Sequence, residues 1–213
     1  MEFTEIILHY LEGASCRDFC FPKYVQCIGS PKIDRSGSPD TGYEKDIKRG
    51  VPPLFAAIQN HQHEKLEALL RSGEDVEQKN KFGTRPLSFA VNHHDIKSVK
   101  LLLEYGANPN VIDGYGEYSP LSAASMRNQI ETVKLLLDYG ADVNYRYNKS
   151  ETALTVATKG CKHFKIVQLL LEHGADPKIK DEFGHDTISG LSRYCLDKSD
   201  YTKMRSLLED GVE

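Results

Sequence analysis

The chain has 213 residues, of which 39% are hydrophobic and 27% are charged, and its formal net charge is −4 at pH 7. This balance is typical of a folded soluble protein and offers no general attraction to nucleic acid or to anionic lipid. No window approaches the ~18 uninterrupted apolar residues of a membrane span, and no export signal opens the sequence. We therefore expect neither nucleic-acid nor membrane binding and, with five cysteines, reduced thiols in a cytoplasm.

Residues 1–49 are predicted to form a capping helix followed by a long loop. Apolar residues recur at helical spacing between Thr4 and Leu11, which indicates a helix that covers the exposed face of the next unit of the chain. Residues 29–49 are rich in Gly, Ser, Pro and charge and are predicted to be a loop. Such a segment is usually passive, although it can also become ordered against a partner.

Three cysteines, Cys16, Cys20 and Cys27, lie among aromatic and apolar residues between this helix and the loop. Thiolates are common ligands of tetrahedral zinc, so a zinc-containing regulatory module is one hypothesis for the segment. The three thiols are separated by three and six residues and include no C-x-x-C pair. Buried cysteines that pack as small apolar residues are the favoured interpretation. We predict no metal and no cofactor.

One phrase recurs from residue 50 to the end of the chain. Gly73, Gly106, Gly140 and Gly174 each follow a leucine-rich segment and are 33, 34 and 34 residues apart. In each copy a short apolar segment, a polar break and a second apolar segment at helical spacing predict helix, turn and helix. The glycine lies where the second helix must end, because glycine adopts the left-handed conformation at least cost. A fixed period of this length predicts units that stack on one another.

Together the repeats are predicted to form one solenoid domain, residues 50–213. The fourth unit carries one extra residue in its polar break, which should lengthen the loop between its helices. The last unit has a degraded pattern and a charged outer face, as expected of a C-terminal cap. The five predicted units are 50–82, 83–116, 117–149, 150–183 and 184–213.

The start of the first helix carries a recognisable motif in three of the units. Residues 85–90 read RPLSFA, residues 119–124 read SPLSAA and residues 152–157 read TALTVA. This pattern resembles the ankyrin repeat, whose signature is T-P-L-H-x-A at a period of 33. The histidine of that signature is absent from every copy, and its threonine occurs only at Thr152. The resemblance covers roughly residues 50 to 213 and implies an all-α, ankyrin-like solenoid of about five helix-turn-helix repeats with outward hairpin loops.

The same resemblance implies that a partner meets the hairpin tips and the exposed side of the first helices, which together form a concave face. On this face the last repeat presents Phe183 and His185. Aromatic, Met and Arg side chains are enriched at the cores of protein interfaces. The alternative is that several of these rings pack over neighbouring hairpins and are half-buried. The predicted partner-binding residues are Phe82, Asn92, His93, Tyr105, Tyr115, Tyr118, Met126, Arg127, Tyr139, Tyr145, Tyr147, Lys149 and Tyr194.

Catalysis finds little support in the sequence, and no catalytic residue is predicted. The G-x-S-x-G elbow, the phosphate-binding Gly-rich loop and the H-E-x-x-H motif are all absent. An enzyme or toxin-like effector that uses Cys161 as nucleophile with His163 is the alternative. An exposed loop thiol is the favoured interpretation of Cys161.

Two histidine pairs in polar turns raise the question of a metal site. His61 and His63 lie in the first turn between helices, and His93 and His94 lie in the second. Residues two apart do not share a helix face, and neither a carboxylate nor a thiol accompanies either pair at a recognised ligand spacing. All four are therefore predicted to be solvated turn residues.

We conclude from the sequence that the chain is a protein–protein interaction module. An adaptor, an inhibitor or a sequestering factor would act in this way, binding one protein partner of unknown identity and remaining a monomer when free. Lys, Asn, Ile and Tyr usage together with degenerate repeats is similar to ankyrin proteins of viruses and intracellular bacteria. That similarity suggests a host–pathogen role and a cytoplasmic location, including the cytoplasm of a host cell.

Overall fold

The computed structural model describes residues 50–113, 118–146, 151–159, 161–181, 183–193, 195 and 197–210. The predicted capping helix, the loop of residues 29–49 and the possible zinc ligands Cys16, Cys20 and Cys27 lie outside the described residues. Within the described part of the chain, no helix is long and apolar enough to cross a lipid bilayer.

The described residues form ten α-helices, most of which come in pairs separated by a short turn. A 3-10 helix, Leu191–Arg193, lies between the last two. The pairs recur at the predicted period, so the fold is the all-α solenoid that the sequence indicates. The helices are α1 Pro53–Gln59, α2 His63–Arg71, α3 Pro86–Asn92, α4 Ile96–Glu104, α5 Pro120–Met126, α6 Ile130–Asp138, α7 Ala153–Thr158, α8 Phe164–Glu172, α9 Thr187–Gly190 and α10 Lys198–Asp210.

The first helix of a unit begins where the sequence supplies a start signal. Pro53, Pro86 and Pro120 occupy the first position of α1, α3 and α5. Proline is well suited to this position because its ring sets φ for a helix and its missing N–H would have no partner there. Ser119 caps α5, since its Oγ accepts a hydrogen bond of 3.1 Å from the backbone N–H of Ser122. The residue at which each of these helices begins is therefore determined by neighbours in the sequence.

The second helices end at the glycines that define the repeat. After α4 the chain reaches Gly106 with φ +86°. The N–H of Gly106 donates to the carbonyl of Leu103 at 3.0 Å, and the N–H of Ala107 donates to that of Leu102 at 2.9 Å. These two bonds form the Schellman motif, which satisfies carbonyls that the helix end would leave unpaired. The same pair of bonds ends α6 and α8.

The helices pack in two layers, which is how the stack buries its apolar surface. The first helices α1, α3, α5 and α7 pack on one another in order, and α2, α4, α6 and α8 form the second layer. Leu102 in α4 and Leu136 in α6 are fully buried between neighbouring units. No unit could enclose these leucines alone, so stability comes from the contacts between repeats.

Asparagine side chains join successive hairpins at equivalent positions. Asn110 Nδ2 donates to the carbonyl of Gly140 at 3.1 Å, and its Oδ1 accepts from the N–H of Asp142 at 2.7 Å. Asn144 makes the same two bonds one repeat later, at 3.0 and 2.8 Å. Each amide thus satisfies one donor and one acceptor of the next hairpin, which holds adjacent units in register.

The last unit departs from the pattern of the others. Its first helix α9 has four residues, whereas its second helix α10 has thirteen. Met204 and Leu208 of α10 are fully buried, and α10 packs on α8. Lys203 and Glu209 on the same helix are exposed. A helix with one apolar side and one charged side is what the end of a stack requires.

The fourth and last units are joined by a disulfide between Cys161 and Cys195, whose Cα atoms lie 5.4 Å apart. The predicted reduced state of the cysteines is therefore wrong for this pair. Cys161 is 1% exposed, so the expectation of an exposed loop thiol is wrong as well. Cys161 occupies the same left-handed turn position as His94 and Asn128, with φ +52°, but its small side chain is covered because it meets Cys195 of the last unit.

Candidate partner-binding surface

The first hairpin tip presents an aromatic side chain on a turn that is held by one asparagine. Asn80 Oδ1 accepts from the backbone N–H of Phe82 at 2.9 Å and from that of Thr84 at 3.0 Å. The N–H of Asn80 also donates to the carbonyl of Thr84 at 3.0 Å. Phe82 is 38% exposed, and Lys81 Nζ lies 4.9 Å from the centre of its ring. A fixed turn that displays an aromatic ring and a cation is suited to contact a partner.

The last hairpin tip has the same construction. Asp181 Oδ1 accepts from the N–H of Phe183 at 2.9 Å and from that of His185 at 2.8 Å. Desolvation works to raise the pKa of Asp181, but the hydrogen bonds from His185 and Phe183 and the nearby charges of His185 and Arg193 lower it overall. Phe183 is 74% exposed, the most of any large apolar residue in the described part of the chain. The shared motifs NKFG and DEFG in the sequence account for the equivalence.

The predicted partner-binding residues fall into three groups. Phe82, Asn92 and Tyr139 are exposed. Six are partly buried, namely His93, Tyr105, Tyr118, Met126, Arg127 and Tyr145. Tyr115, Tyr147, Lys149 and Tyr194 lie outside the described residues.

Tyr118 and Arg127 are more enclosed than free surface residues. Tyr118 packs against the core. Arg127 Nη1 donates to the carbonyl of Ala123 at 3.2 Å. Burial lowers the pKa of Arg127, and the nearby Tyr118 opposes this shift. Both side chains therefore contribute to the packing of α5, in agreement with the half-buried alternative for part of the aromatic set.

Two other predicted residues also have internal roles. Tyr105 packs against the core, and its hydroxyl accepts a hydrogen bond of 3.3 Å from Arg71 Nε, one repeat earlier. His93 stacks on Phe89 with ring centroids 4.0 Å apart, and its Nδ1 lies 2.9 Å from the carbonyl of Phe89. Burial lowers the pKa of His93, although the hydrogen bond to Phe89 opposes it. The expectation that His93 is a solvated turn residue is wrong, because its ring covers a buried aromatic.

A buried polar cluster that the sequence did not reveal lies at the base of the second hairpin. Asp113 accepts from the backbone N–H of Arg85 at 3.0 Å and from Ser88 Oγ at 2.8 Å. It also forms a short ion pair with Arg85 Nη1. Arg85 also forms an ion pair with Glu77, in which Nε lies 2.7 Å from Oε2. The angle of this contact is not that of a hydrogen bond. Arg85 occupies the position of the threonine in the repeat signature. An ion pair across the hairpin therefore takes the place of a hydrogen bond from a threonine hydroxyl.

A second unpredicted cluster joins the first two repeats. His61 Nδ1 lies 3.0 Å from Asp95 Oδ2, and His63 Nε2 lies 2.9 Å from Asp95 Oδ1. Desolvation works to raise the pKa of Asp95, but hydrogen bonds from Ser98, His61 and His63 lower it overall. The prediction that both histidines are solvated is wrong for His63, which is partly buried against Asp95, whereas His61 is exposed. Asp95 is separated from them by a whole repeat, so no local spacing could indicate it.

The alternative catalytic pair does not form a reactive site. Cys161 is buried and bonded to Cys195, so it has no thiolate with which to attack a substrate. Burial lowers the pKa of His163, and its approach to the backbone of Ser125 opposes that shift. His163 therefore interacts with the preceding repeat, and the geometry offers no support for nucleophilic catalysis.

Comparison with known proteins agrees with the helical pattern. A family model described as ankyrin repeats in three copies matches residues 34–113 and 111–181. The two matches together span more than half of the chain. No curated protein matches this sequence. With the repeat period, the paired helices and the family match in accord, the chain belongs to the ankyrin repeat family.

Proposed function

We propose that this protein is a stoichiometric protein-binding module that acts as an adaptor, an inhibitor or a sequestering factor. Ankyrin repeats are generally modules of protein–protein interaction. Stacked repeats place equivalent residues of successive units side by side, so a solenoid offers an extended binding surface without a deep pocket. The proposal includes a monomeric free state and a cytoplasmic location, where a disulfide such as Cys161–Cys195 is rare because thiols are kept reduced.

The observation that carries this proposal is the exposure of phenylalanine at two equivalent hairpin tips. Burying a large apolar side chain from water is favourable by about 1.5 to 3 kcal/mol, so a protein gains nothing in its free state from exposing one. Phe183 is nevertheless 74% exposed and Phe82 38% exposed, on turns that Asp181 and Asn80 stabilise. Preformed turns bind at lower entropic cost than mobile loops. These tips are therefore the leading contact points.

The first helices would supply the rest of the surface. Asn92 and Tyr139 are exposed, and Met126 is partly exposed at the end of α5. Tyr118 and Arg127 would contribute only the part of each side chain that their packing leaves open. The binding energy should consequently be concentrated at the exposed rings, with the half-buried residues shaping the surface between them.

A comparative pull-down from lysate of the native cell tests this proposal. The bait proteins are the wild type, the double variant Phe82→Ala/Phe183→Ala and the matched control Lys134→Ala, which changes an exposed charge on the second helix α6. We expect wild type and control to retain the same partner, and the double variant to bind it more weakly by about 2 kcal/mol or more. Urea unfolding of the three proteins should differ little, since Phe183 is 74% exposed and Phe82 is 38% exposed.

Two results would move the function elsewhere. If Lys134→Ala lost the partner while the double variant kept it, the binding face would be the layer of second helices. If substoichiometric protein chemically modified the partner, and the activity required Cys161, the enzyme alternative would replace the binding module.

A further inference from the structure

Three side chains with metal-binding atoms converge between the first and second repeats. The atoms are Nδ1 of His61, Nε2 of His63 and a carboxylate oxygen of Asp95, and all lie within 4.8 Å of one another. In the described part of the chain this is the one such group of three or more His, Cys, Asp or Glu residues. It is separate from the hairpin tips proposed above to bind a partner.

The stacking of repeats brings these residues together. His61 lies in the turn between α1 and α2, and His63 is the first residue of α2. Asp95 is the N-cap of α4. Because α1 packs on α3 and α2 packs on α4, the two turns lie side by side. The histidines of one turn thus face the carboxylate of the next.

The carboxylate is held in place before any ligand arrives. Asp95 accepts from the backbone N–H of Ser98 at 3.2 Å and from Ser98 Oγ at 2.8 Å. Its side chain is only 3% exposed, whereas that of His63 is 28% exposed and that of His61 is 60% exposed. A buried, hydrogen-bonded carboxylate with an open imidazole beside it combines a fixed ligand with a path from solvent.

The arrangement is not a general feature of these turns. The N-cap of the second helix is Gln62 in the first repeat, Gln129 in the third and His163 in the fourth. Capping α4 requires only the contacts that Asp95 makes with Ser98. The two imidazoles from the preceding repeat therefore add contacts to this carboxylate that capping does not require.

Two imidazoles and one carboxylate are a donor set that suits zinc. Zinc takes imidazole nitrogen and carboxylate oxygen at about 2.0 to 2.2 Å, and sites with three protein ligands keep one position open. Two ligand atoms on a tetrahedral zinc lie about 3.3 Å apart. Asp95 Oδ2 lies 3.0 Å from His61 Nδ1 and 3.1 Å from His63 Nε2, so both distances would need to widen by only a few tenths of an ångström. The ligand atoms all lie within 4.8 Å of one another, and the two imidazole nitrogens would move closer together around the ion.

We propose that His61, His63 and Asp95 bind one zinc ion, with water at the fourth position. Without metal, the two N–H groups donate to the carboxylate. On binding, each neutral imidazole would carry its proton on its other ring nitrogen, and the freed lone pair would face the ion. The ion would join the first repeat to the second and so strengthen the N-terminal end of the stack.

Zinc titration of the chelator-treated full chain tests this site. Isothermal titration calorimetry with zinc chloride should show one ion per chain, and zinc should raise the unfolding temperature. The variants His63→Gln and Asp95→Asn should each weaken the binding at least about tenfold. Asp95→Asn retains an oxygen that can accept from Ser98, so this variant should remain folded. Circular dichroism of each variant checks that the helices are retained.

Two control variants separate this site from other ligands in the chain. His94→Gln changes the residue that has the same left-handed conformation in the next turn, with φ +56°, and should leave zinc binding unchanged. The triple variant Cys16→Ser/Cys20→Ser/Cys27→Ser should also bind zinc as the wild type does. As a further readout, Co²⁺ in place of zinc should give a visible absorption spectrum that His63→Gln abolishes.

Any of three results would overturn the proposal. The wild type could fail to bind zinc and show no rise in unfolding temperature. The variants at His63 and Asp95 could bind as tightly as the wild type. Finally, binding could be lost in the triple cysteine variant alone, which would assign the zinc to the N-terminal thiols.

Discussion

Replacing Asp113 with alanine should lower the free energy of unfolding by about 2 to 4 kcal/mol. The carboxylate is 1% exposed and links the base of the second hairpin to the start of α3. It accepts from the backbone N–H of Arg85 and from Ser88 Oγ, and it forms an ion pair with the Arg85 guanidinium. Removing it leaves all three donors without this acceptor.

The magnitude follows from the separate contacts. A neutral hydrogen bond contributes about 0.5 to 1.5 kcal/mol and one to a charged group about 1.5 to 3 kcal/mol, so three such contacts exceed the predicted loss when simply added. The total is reduced because the Arg85 side chain is 23% exposed and remains 2.7 Å from Glu77. Arg85 therefore keeps some hydration and one ionic partner after the substitution.

Urea unfolding monitored by circular dichroism measures this loss, with two matched variants. Asp113→Asn keeps an acceptor oxygen but removes the charge, so it should lie between the wild type and alanine. Asp181→Ala removes the corresponding side chain of the last hairpin, which is more exposed, accepts from backbone N–H groups in its own turn and lies 3.5 Å from His185 Nδ1. Its loss should be clearly smaller than that of Asp113→Ala.

The reasoning would be refuted by equal losses at Asp113 and Asp181. That result would mean that burial and the cross-hairpin ion pair add nothing to the local turn bonds. A loss below about 1 kcal/mol for Asp113→Ala would likewise show that water replaces the carboxylate at little cost.

Three further perturbations have outcomes that the structure determines. Leu102→Ala should cost about 2 to 5 kcal/mol in urea unfolding, and Leu208→Ala should fall in the same range, because both side chains are fully buried. Cys195→Ser should destabilise the last unit by about 2 to 4 kcal/mol, and a reductant should do the same to the wild type but not to the variant. Burial lowers the pKa of His163, so the unfolded chain takes up the proton first, and stability should fall as the pH drops through about 6.5. His163→Gln should flatten that dependence.

Leu208 in the last unit is as fully buried as Leu102 in a central unit. The sequence alone suggests that a residue of the terminal unit has solvent on one flank and should therefore contribute less. In the structure α10 is longer than the other second helices and packs Leu208 fully against the core. The last helix protects its apolar side chains by packing that side on α8, and its charged residues remain exposed.

The sequence by itself determined the repeating architecture. Helix starts at proline or a capping serine, and helix ends at Gly106 and its equivalents, depend on contacts between residues close in the chain. Such contacts leave a local signal, which recurs in every unit. The period then predicts stacking, because no unit can bury its own apolar face. Phe82 and Phe183 were also accessible to this reasoning, since both follow a turn-forming Asn or Asp by two positions.

Only the tertiary structure decided which polar residues meet across repeats. Asp95 lies 34 positions after His61, and Cys195 lies 34 positions after Cys161. At such separations the chain between the two residues carries no signal of their contact, because their approach depends on how whole units stack. The same holds for burial: Tyr118 and Arg127 occupy slots that the repeat places on the surface, yet neighbouring side chains enclose them. Stacking brings turns from different units side by side. Which bonds form between two such turns depends on the particular residues that meet there, and the repeat pattern does not specify those residues.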